Sequence, residues 1–109
     1  MNWKKSGASK RATLPRACDF TRQFLKDWER LSNSGRYDMT LLKELMSLLV
    51  ANDGPLAAQW RDHALVGEWG KHRECHVGGD FLLVYRLETE GKFESVIFVR
   101  AGTHSELFR

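Results

Sequence analysis

Between Phe20 and Leu31 apolar residues recur at intervals of four, four and three (Phe20, Phe24, Trp28, Leu31), the repeat of a helix with one buried stripe. Asp19 is placed to cap its start. Ser32-Asn33-Ser34-Gly35 ends it, because these residues favour turns and Gly35 can take a positive φ. A second helical pattern follows Asp38, with Leu41, Leu42, Leu45, Met46, Leu48 and Leu49 as its apolar positions, and Asn52-Asp53-Gly54-Pro55 closes it. The two read as a helical hairpin.

From Pro55 to Lys71 no period holds, which predicts an ordered loop carrying Trp60, His63, Leu65 and Trp69. Three strands are predicted next, over Arg73–Val77, Phe81–Leu87 and Phe93–Ala101. They are joined by Gly78-Gly79 and by a turn from Glu88 to Lys92, so they form an antiparallel meander. Phe81-Leu82-Leu83-Val84-Tyr85 is apolar at successive positions, as a central strand covered on both faces should be, whereas Arg73–Val77 alternates. The predicted fold class is α+β, with two N-terminal helices packed on a small, mainly antiparallel sheet. A short strand over Arg11–Leu14 is compatible with a sheet edge, within the limit set by Pro15.

Composition narrows the picture without changing it. The 109 residues show no internal shift that would support a second core, and 42% hydrophobic with 28% charged residues suits a packed globule. The formal charge of +3 points to an acidic partner, but its distribution weakens that reading. Residues 1–16 hold Lys4, Lys5, Lys10, Arg11 and Arg16 and no acid, leaving 12 basic against 14 acidic residues in 17–109. We therefore expect a basic, flexible arm over 1–16, solvated rather than dedicated to nucleic acid, before one domain over 17–109. Cys18 and Cys75 make neither a CxxC pair nor a disulfide framework and are expected as free thiols in a reducing cytoplasm. The apolar stretch Leu41–Ala51, broken by Lys43, Glu44 and Ser47, is too short to span a bilayer, and no membrane role is expected.

Candidate chemistry gathers late in the chain. All four histidines, His63, His72, His76 and His104, fall after residue 62, together with Arg73, Asp80 and Arg100. Imidazole gives or takes a proton near neutrality, so several converging in a cleft suit acid–base catalysis. Strand alternation puts His76 on one face with Glu74, and Arg73, Cys75 and Val77 on the other; Arg100 should share a face with Phe98 and Val96, with His104 just past the strand end. A zinc site from His63, His76, His104 and Cys75 is disfavoured, because Cys75 and His76 are strand neighbours pointing apart. No metal or cofactor is expected. Phe108 suits either stacking on an RNA base or packing in the core, and Lys71 and Arg73 suit either phosphate contact or solvation of the loop.

A further pattern is carried by Arg61-Asp62-His63-Ala64-Leu65, Gly67, Trp69, Arg73-Glu74-Cys75-His76-Val77, Asp80-Phe81-Leu82-Leu83-Val84-Tyr85 and Arg100-Ala101-Gly102-Thr103-His104-Ser105-Glu106-Leu107-Phe108. In this order and spacing the chain resembles the YafQ-type toxins of the RelE/ParE superfamily, densely from Pro55 to Phe108, and the two preceding helices agree. The resemblance implies a RelE-like fold and an mRNA interferase that cuts mRNA in the ribosomal A site. It also implies a cognate antitoxin, of the ribbon-helix-helix DNA-binding kind, which holds the toxin inactive and through which alone operator DNA is met. His63, His76, Asp80, Arg100, His104 and Phe108 occupy the positions of the family's active-site set. Phe81 stands where the family often has Trp, which keeps an aromatic surface but removes an indole donor. Lys71, Arg73, Phe81 and Phe108 are the expected substrate contacts.

The implied reaction is metal-independent: one group removes the 2'-OH proton, the oxygen attacks the adjacent phosphate in line, and another group protonates the departing 5' oxygen. His104 is the expected acid, His76 or His63 paired with Asp80 the expected base, and Arg100 the expected ligand for charge building on phosphorus. Two other readings stay open: a gyrase-directed relative, against which the histidine set argues, and a non-catalytic module acting through the antitoxin on operator DNA.

Overall fold

The computed structural model describes residues 13–108. Its elements are β1 (Ala17–Phe20), α1 (Arg22–Ser34), α2 (Met39–Ala51), β2 (His63–Ala64), β3 (Arg73–Gly78), β4 (Phe81–Glu90), β5 (Phe93–Thr103) and α3 (His104–Leu107), with 3-10 turns at Ala58–Trp60 and Gly67–Trp69. The strands form one sheet in the order β1-β5-β4-β3-β2, in which β1 runs parallel to β5 and the other neighbours are antiparallel. The expected α+β class, the meander and the central place of the Phe81–Tyr85 run are all present.

Central placement explains that run. Successive side chains of a strand point to opposite faces. Phe81, Leu83 and Tyr85 join the main core with Phe24 and Leu31 of α1 and Leu42 and Leu45 of α2. Leu82 and Val84 face the other way, into a smaller cluster with Leu107, flanked by Leu65, Trp69, Val99 and Phe108. The two long helices thus cover one face of the sheet, while the loop before β3 and the C-terminal turn cover the other.

Local chemistry fixes the helix ends. The Asp38 carboxylate accepts the Leu41 N–H, and Asn52 ends α2 in the left-handed conformation, φ 53°, as expected. At α1 the expected cap is displaced: Asp19 and Phe20 belong to β1, and the Thr21 hydroxyl oxygen accepts the Phe24 N–H instead. The same hydroxyl donates to Val99 O at 2.7 Å, so one side chain caps α1 and ties it to β5. Phe20 leaves the helical stripe and stacks between Phe24 and Phe98, 5.7 and 5.8 Å away.

The edge strand is therefore 17–20 rather than 11–14; Arg11 and Ala12 lie outside the described residues, and Thr13 and Leu14 are not in the sheet. The last residues of the expected arm are held by the domain. Asn52 donates to Leu14 O, and Arg16 donates to Leu49 O at 2.7 Å and pairs with Glu94 at 2.6 Å. Residues 1–12 lie outside the described part.

Candidate active site

On the sheet face away from the long helices, β2 and β3 bring three titratable side chains together. His63 pairs with Glu74 across the strands, and His76 lies two residues along β3 on the same face as Glu74. Glu74 Oε1 is 3.2 Å from His63 Nε2 and 3.7 Å from His76 Nε2, and the two rings are 6.1 Å apart. Glu74 is only 7% exposed.

The His63 tautomer follows from its other nitrogen. Nδ1 lies 2.7 Å from Arg61 O, which can only accept, so Nδ1 carries a proton. Nε2 then faces a carboxylate oxygen at 3.2 Å, and two lone pairs at that distance repel unless one proton lies between them. One carboxylate oxygen is thus the shared neighbour of both imidazoles. The carboxylate beside the two histidines is Glu74, not Asp80. Asp80 is exposed beyond the end of β3, and its Oδ1 accepts the His104 backbone N–H at 3.2 Å, which anchors α3 rather than an imidazole.

β5 and α3 supply the other side. The register aligns Glu74 with Val84 and Val84 with Arg100, so Glu74 and Arg100 lie two strand spacings apart, roughly 10 Å along one row. Arg100 does not share a face with Phe98. The pairing shifts between Val84 and Tyr85, so that Tyr85 meets Phe98 and Val84 meets Arg100; this bulge at Val99 breaks the alternation from which the shared face was expected. Arg100 Nε donates to Asp27 Oδ2 at 2.8 Å and Nη2 to Oδ1 at 3.2 Å.

His104 is the first residue of α3, exposed, with its ring 5.2 Å from that of Phe108. The start of α3 is set by a capping box: Thr103 accepts the Glu106 N–H while Glu106 accepts the Thr103 N–H at 2.8 Å, a bond that holds the Glu106 carboxyl below the usual carboxylate range. Phe108 is half-buried and meets Trp69 edge-on at 5.3 Å, so its ring is packed against the domain rather than free-standing.

The structure thus places His63 and His76 on one side of β4 and Arg100, His104 and Phe108 on the other, with Leu82 and Val84 of β4 buried between them under Leu65, Trp69 and Leu107. It does not bring in the remaining candidates. Phe81 is 6% exposed and packs on Tyr37 at 5.0 Å on the helix-covered face, so it offers no stacking surface; strand alternation puts it there. Arg73 points to that same face, where its guanidinium binds Asp62 and the Tyr85 hydroxyl, each at 3.2 Å. Asp62 also accepts from Tyr85 at 2.7 Å, and burial together with the Asp62 charge pushes both the Cys75 thiol and the Tyr85 hydroxyl up, leaving Cys75 unsuited to nucleophilic work. Lys71 is exposed on its loop with φ 73°. His72 bonds Gly70 O and rests edge-on against Trp69, a structural post.

Two residues here were not singled out from the sequence. Glu74 was noted only as a face-mate of His76, although an i, i+2 carboxylate–imidazole pair on a strand is itself a signal. Asp27 was passed over, although a charged residue at the 24–27–31 spacing falls on the buried side of α1. The three-donor set His63, Glu74 and His76, with ligand atoms within 4.8 Å of one another, is able to hold a metal ion, and Glu74 replaces the Cys75 and His104 of the set weighed above. A cavity of about 540 Å³ between β1 and α2, lined by Phe20, Met46, Val50 and Phe98 among others, lies on the helix side and has no place in this chemistry.

Comparison with known proteins adds to this geometry. The family model described as "Bacterial toxin of type II toxin-antitoxin system, YafQ" matches residues 16–109. The mRNA interferase toxin YafQ of Escherichia coli K12 is 38% identical over 95 residues, 87% of this chain and 98% of that protein. Among solved structures, the E. coli DinJ-YafQ toxin-antitoxin complex matches with TM-score 0.73 and 38% identity over 88% of this chain and all of that one. A metal-bound toxin from Helicobacter pylori matches with TM-score 0.74 and 36% identity over 85% of this chain and 99% of that one.

Proposed function

Because the chain belongs to the YafQ family of toxins from type II toxin–antitoxin systems, we propose that it is a ribosome-dependent endoribonuclease whose cleft cuts mRNA by acid–base attack of the 2'-OH. The observation that carries the reading is the placement of the His63–Glu74–His76 group on β2–β3 opposite Arg100 and His104 on β5–α3, across one strand. In-line attack needs a proton acceptor for the 2' oxygen, a donor for the leaving 5' oxygen and a cation for the charge building on phosphorus. His76, backed by Glu74 with His63 on the same carboxylate, serves as acceptor, His104 as donor and Arg100 as cation, and Phe108 with Trp69 borders the base. These side chains meet each need, so the proposed chemistry is metal-independent.

By the same reading the protein acts in the cytoplasm and is restrained by a cognate antitoxin, as YafQ is found with DinJ in its E. coli relative. A ribbon-helix-helix antitoxin would carry the operator contacts. No helix among the described residues is long and apolar enough to cross a membrane.

The test is primer extension on a reporter mRNA translated in a purified system. Discrete in-frame cuts are expected with the wild type and none with His104→Gln. Intact mRNA from both would sink the reading and favour a gyrase-directed or antitoxin-bound module, which a supercoiling assay on the same preparation separates.

A metal ion bears on the proposal through inhibition. Zn²⁺ or Cu²⁺ held by His63, Glu74 and His76 would occupy the lone pairs that must accept the proton. Cleavage should fall on adding micromolar Zn²⁺ and return with EDTA, whereas EDTA alone leaves the rate unchanged. A loss of cleavage on EDTA treatment would overturn the metal-independent scheme.

A further inference from the structure

Among the described residues no strand covers the edge of β5 beyond β1. β1 pairs as far as Phe98, and from there the start of α1 takes the edge: its cap Thr21 donates through its backbone N–H to Phe98 O and through its hydroxyl to Val99 O, and Asp27 Oδ2 accepts the Ala101 N–H at 3.1 Å. Asp27 is fully buried, and it also accepts from Arg30 Nη1 at 2.8 Å and from Gln23 at 3.3 Å.

We infer that Asp27 is the positioning residue for Arg100, holding the inner edge of its guanidinium against β5 so that the outer edge faces the scissile phosphate. The inference deepens the proposed function and rests on it.

The geometry is that of a side-on pair. Asp27 takes Nε and Nη2 of Arg100 and leaves the two outward N–H groups of Nη1 and Nη2, the pair that matches two phosphate oxygens. Among the described residues the Arg100 guanidinium has no other hydrogen bond, and its side chain keeps 21% of its exposure, which leaves this outer edge without a protein partner. The bulge at Val99 turns Arg100 off the helix face, and a long side chain leaving a bulge is otherwise free to swing. Asp27 removes that freedom. It lowers the local positive charge, yet Arg30 bound to the same carboxylate restores it. Arg30 Nη2 reaches Glu106 Oε1 at 3.3 Å, the oxygen that also accepts the Thr103 N–H at the start of α3. One turn of α1 therefore sets both Arg100 and the helix that begins with His104.

The test is a cycle of Asp27→Asn, Arg100→Ala and the double variant, read as single-turnover cleavage of ribosome-bound mRNA. Asparagine keeps the shape and one acceptor and removes the charge. In the wild-type background Asp27→Asn should lower the cleavage rate constant tenfold or more with little change in the half-saturating ribosome concentration, and in the Arg100→Ala background it should add nothing. Equal slowing in both backgrounds overturns the inference and assigns Asp27 to the scaffold alone. No slowing in either also overturns it. Absence of wild-type cleavage overturns the functional reading and this inference with it, so the two failures are distinct. If Asp27→Asn does not fold, the wild type decides through NMR: the Arg100 Nε–H should exchange slowly and be rigid on the nanosecond scale. Mobility like that of an exposed arginine would overturn the inference.

Discussion

Replacing Glu74 with glutamine is expected to slow mRNA cleavage by about 10²–10⁴-fold, the usual worth of a positioned general acid–base group. The expectation follows from one oxygen serving two imidazoles. Glu74 Oε1 lies 3.2 Å from His63 Nε2 and 3.7 Å from His76 Nε2, while His63 Nδ1 is committed as a donor to Arg61 O. A carboxylate there lets a histidine take the 2'-OH proton and stabilises the imidazolium that results. Glutamine keeps the volume at a site only 7% exposed, so the strand should remain, but it carries no charge and cannot take a proton. Single-turnover cleavage over pH 5 to 8 checks this, with thermal unfolding as the control for folding. A rate within threefold of wild type would remove Glu74 from the chemistry and return the base side to Asp80.

The largest effect on stability is expected at Asp27→Ala, a loss of about 3 kcal/mol, the lower end of the range for breaking a buried ion pair. The lower end applies because the arginines left behind are partly solvated, with 43% side-chain exposure at Arg30 and 21% at Arg100. Burial by itself would raise the Asp27 carboxyl, but hydrogen bonds from Arg100, Arg30 and the Ala101 N–H, together with the Arg100 charge, outweigh it and hold the group below the usual carboxylate value. The sign of the pH effect follows. A group with a depressed folded-state pKa contributes its full stability above its unfolded value, near 4, and loses it as pH falls through the folded value. Urea midpoints should therefore show the gap between wild type and Asp27→Ala narrowing from pH 7 towards pH 2. A constant gap would mean that the carboxylate charge contributes nothing.

Much of the fold was open to sequence reasoning because its determinants are local. Asp38 and Asn52 bracket α2 through bonds that span three or four residues. The doubly buried run Phe81–Tyr85 can satisfy two apolar faces only as a central strand, and β4 is central. α1 was legible in its body and not in its start, since Asp19 and Thr21 are both competent caps and the choice depended on β1 pairing with β5, some 78 residues away in sequence.

The site divides along the same line. Residue identity and spacing are properties of the chain, so the family, the α+β class and His63, His76, Arg100, His104 and Phe108 as candidate residues could all be read before folding. Which of them meet is set by the packing of the folded chain. It put Glu74 rather than Asp80 between the histidines, through the pairing of β2 with β3. It turned Phe81 into the core and Arg73 to Asp62, and it rotated Arg100 off the face of Phe98 by a one-residue bulge. It also buried Asp27 beside Arg100. Each outcome depends on register between strands or on a helix meeting a strand edge. A shift of one residue exchanges the two faces of a strand, and no local preference records it.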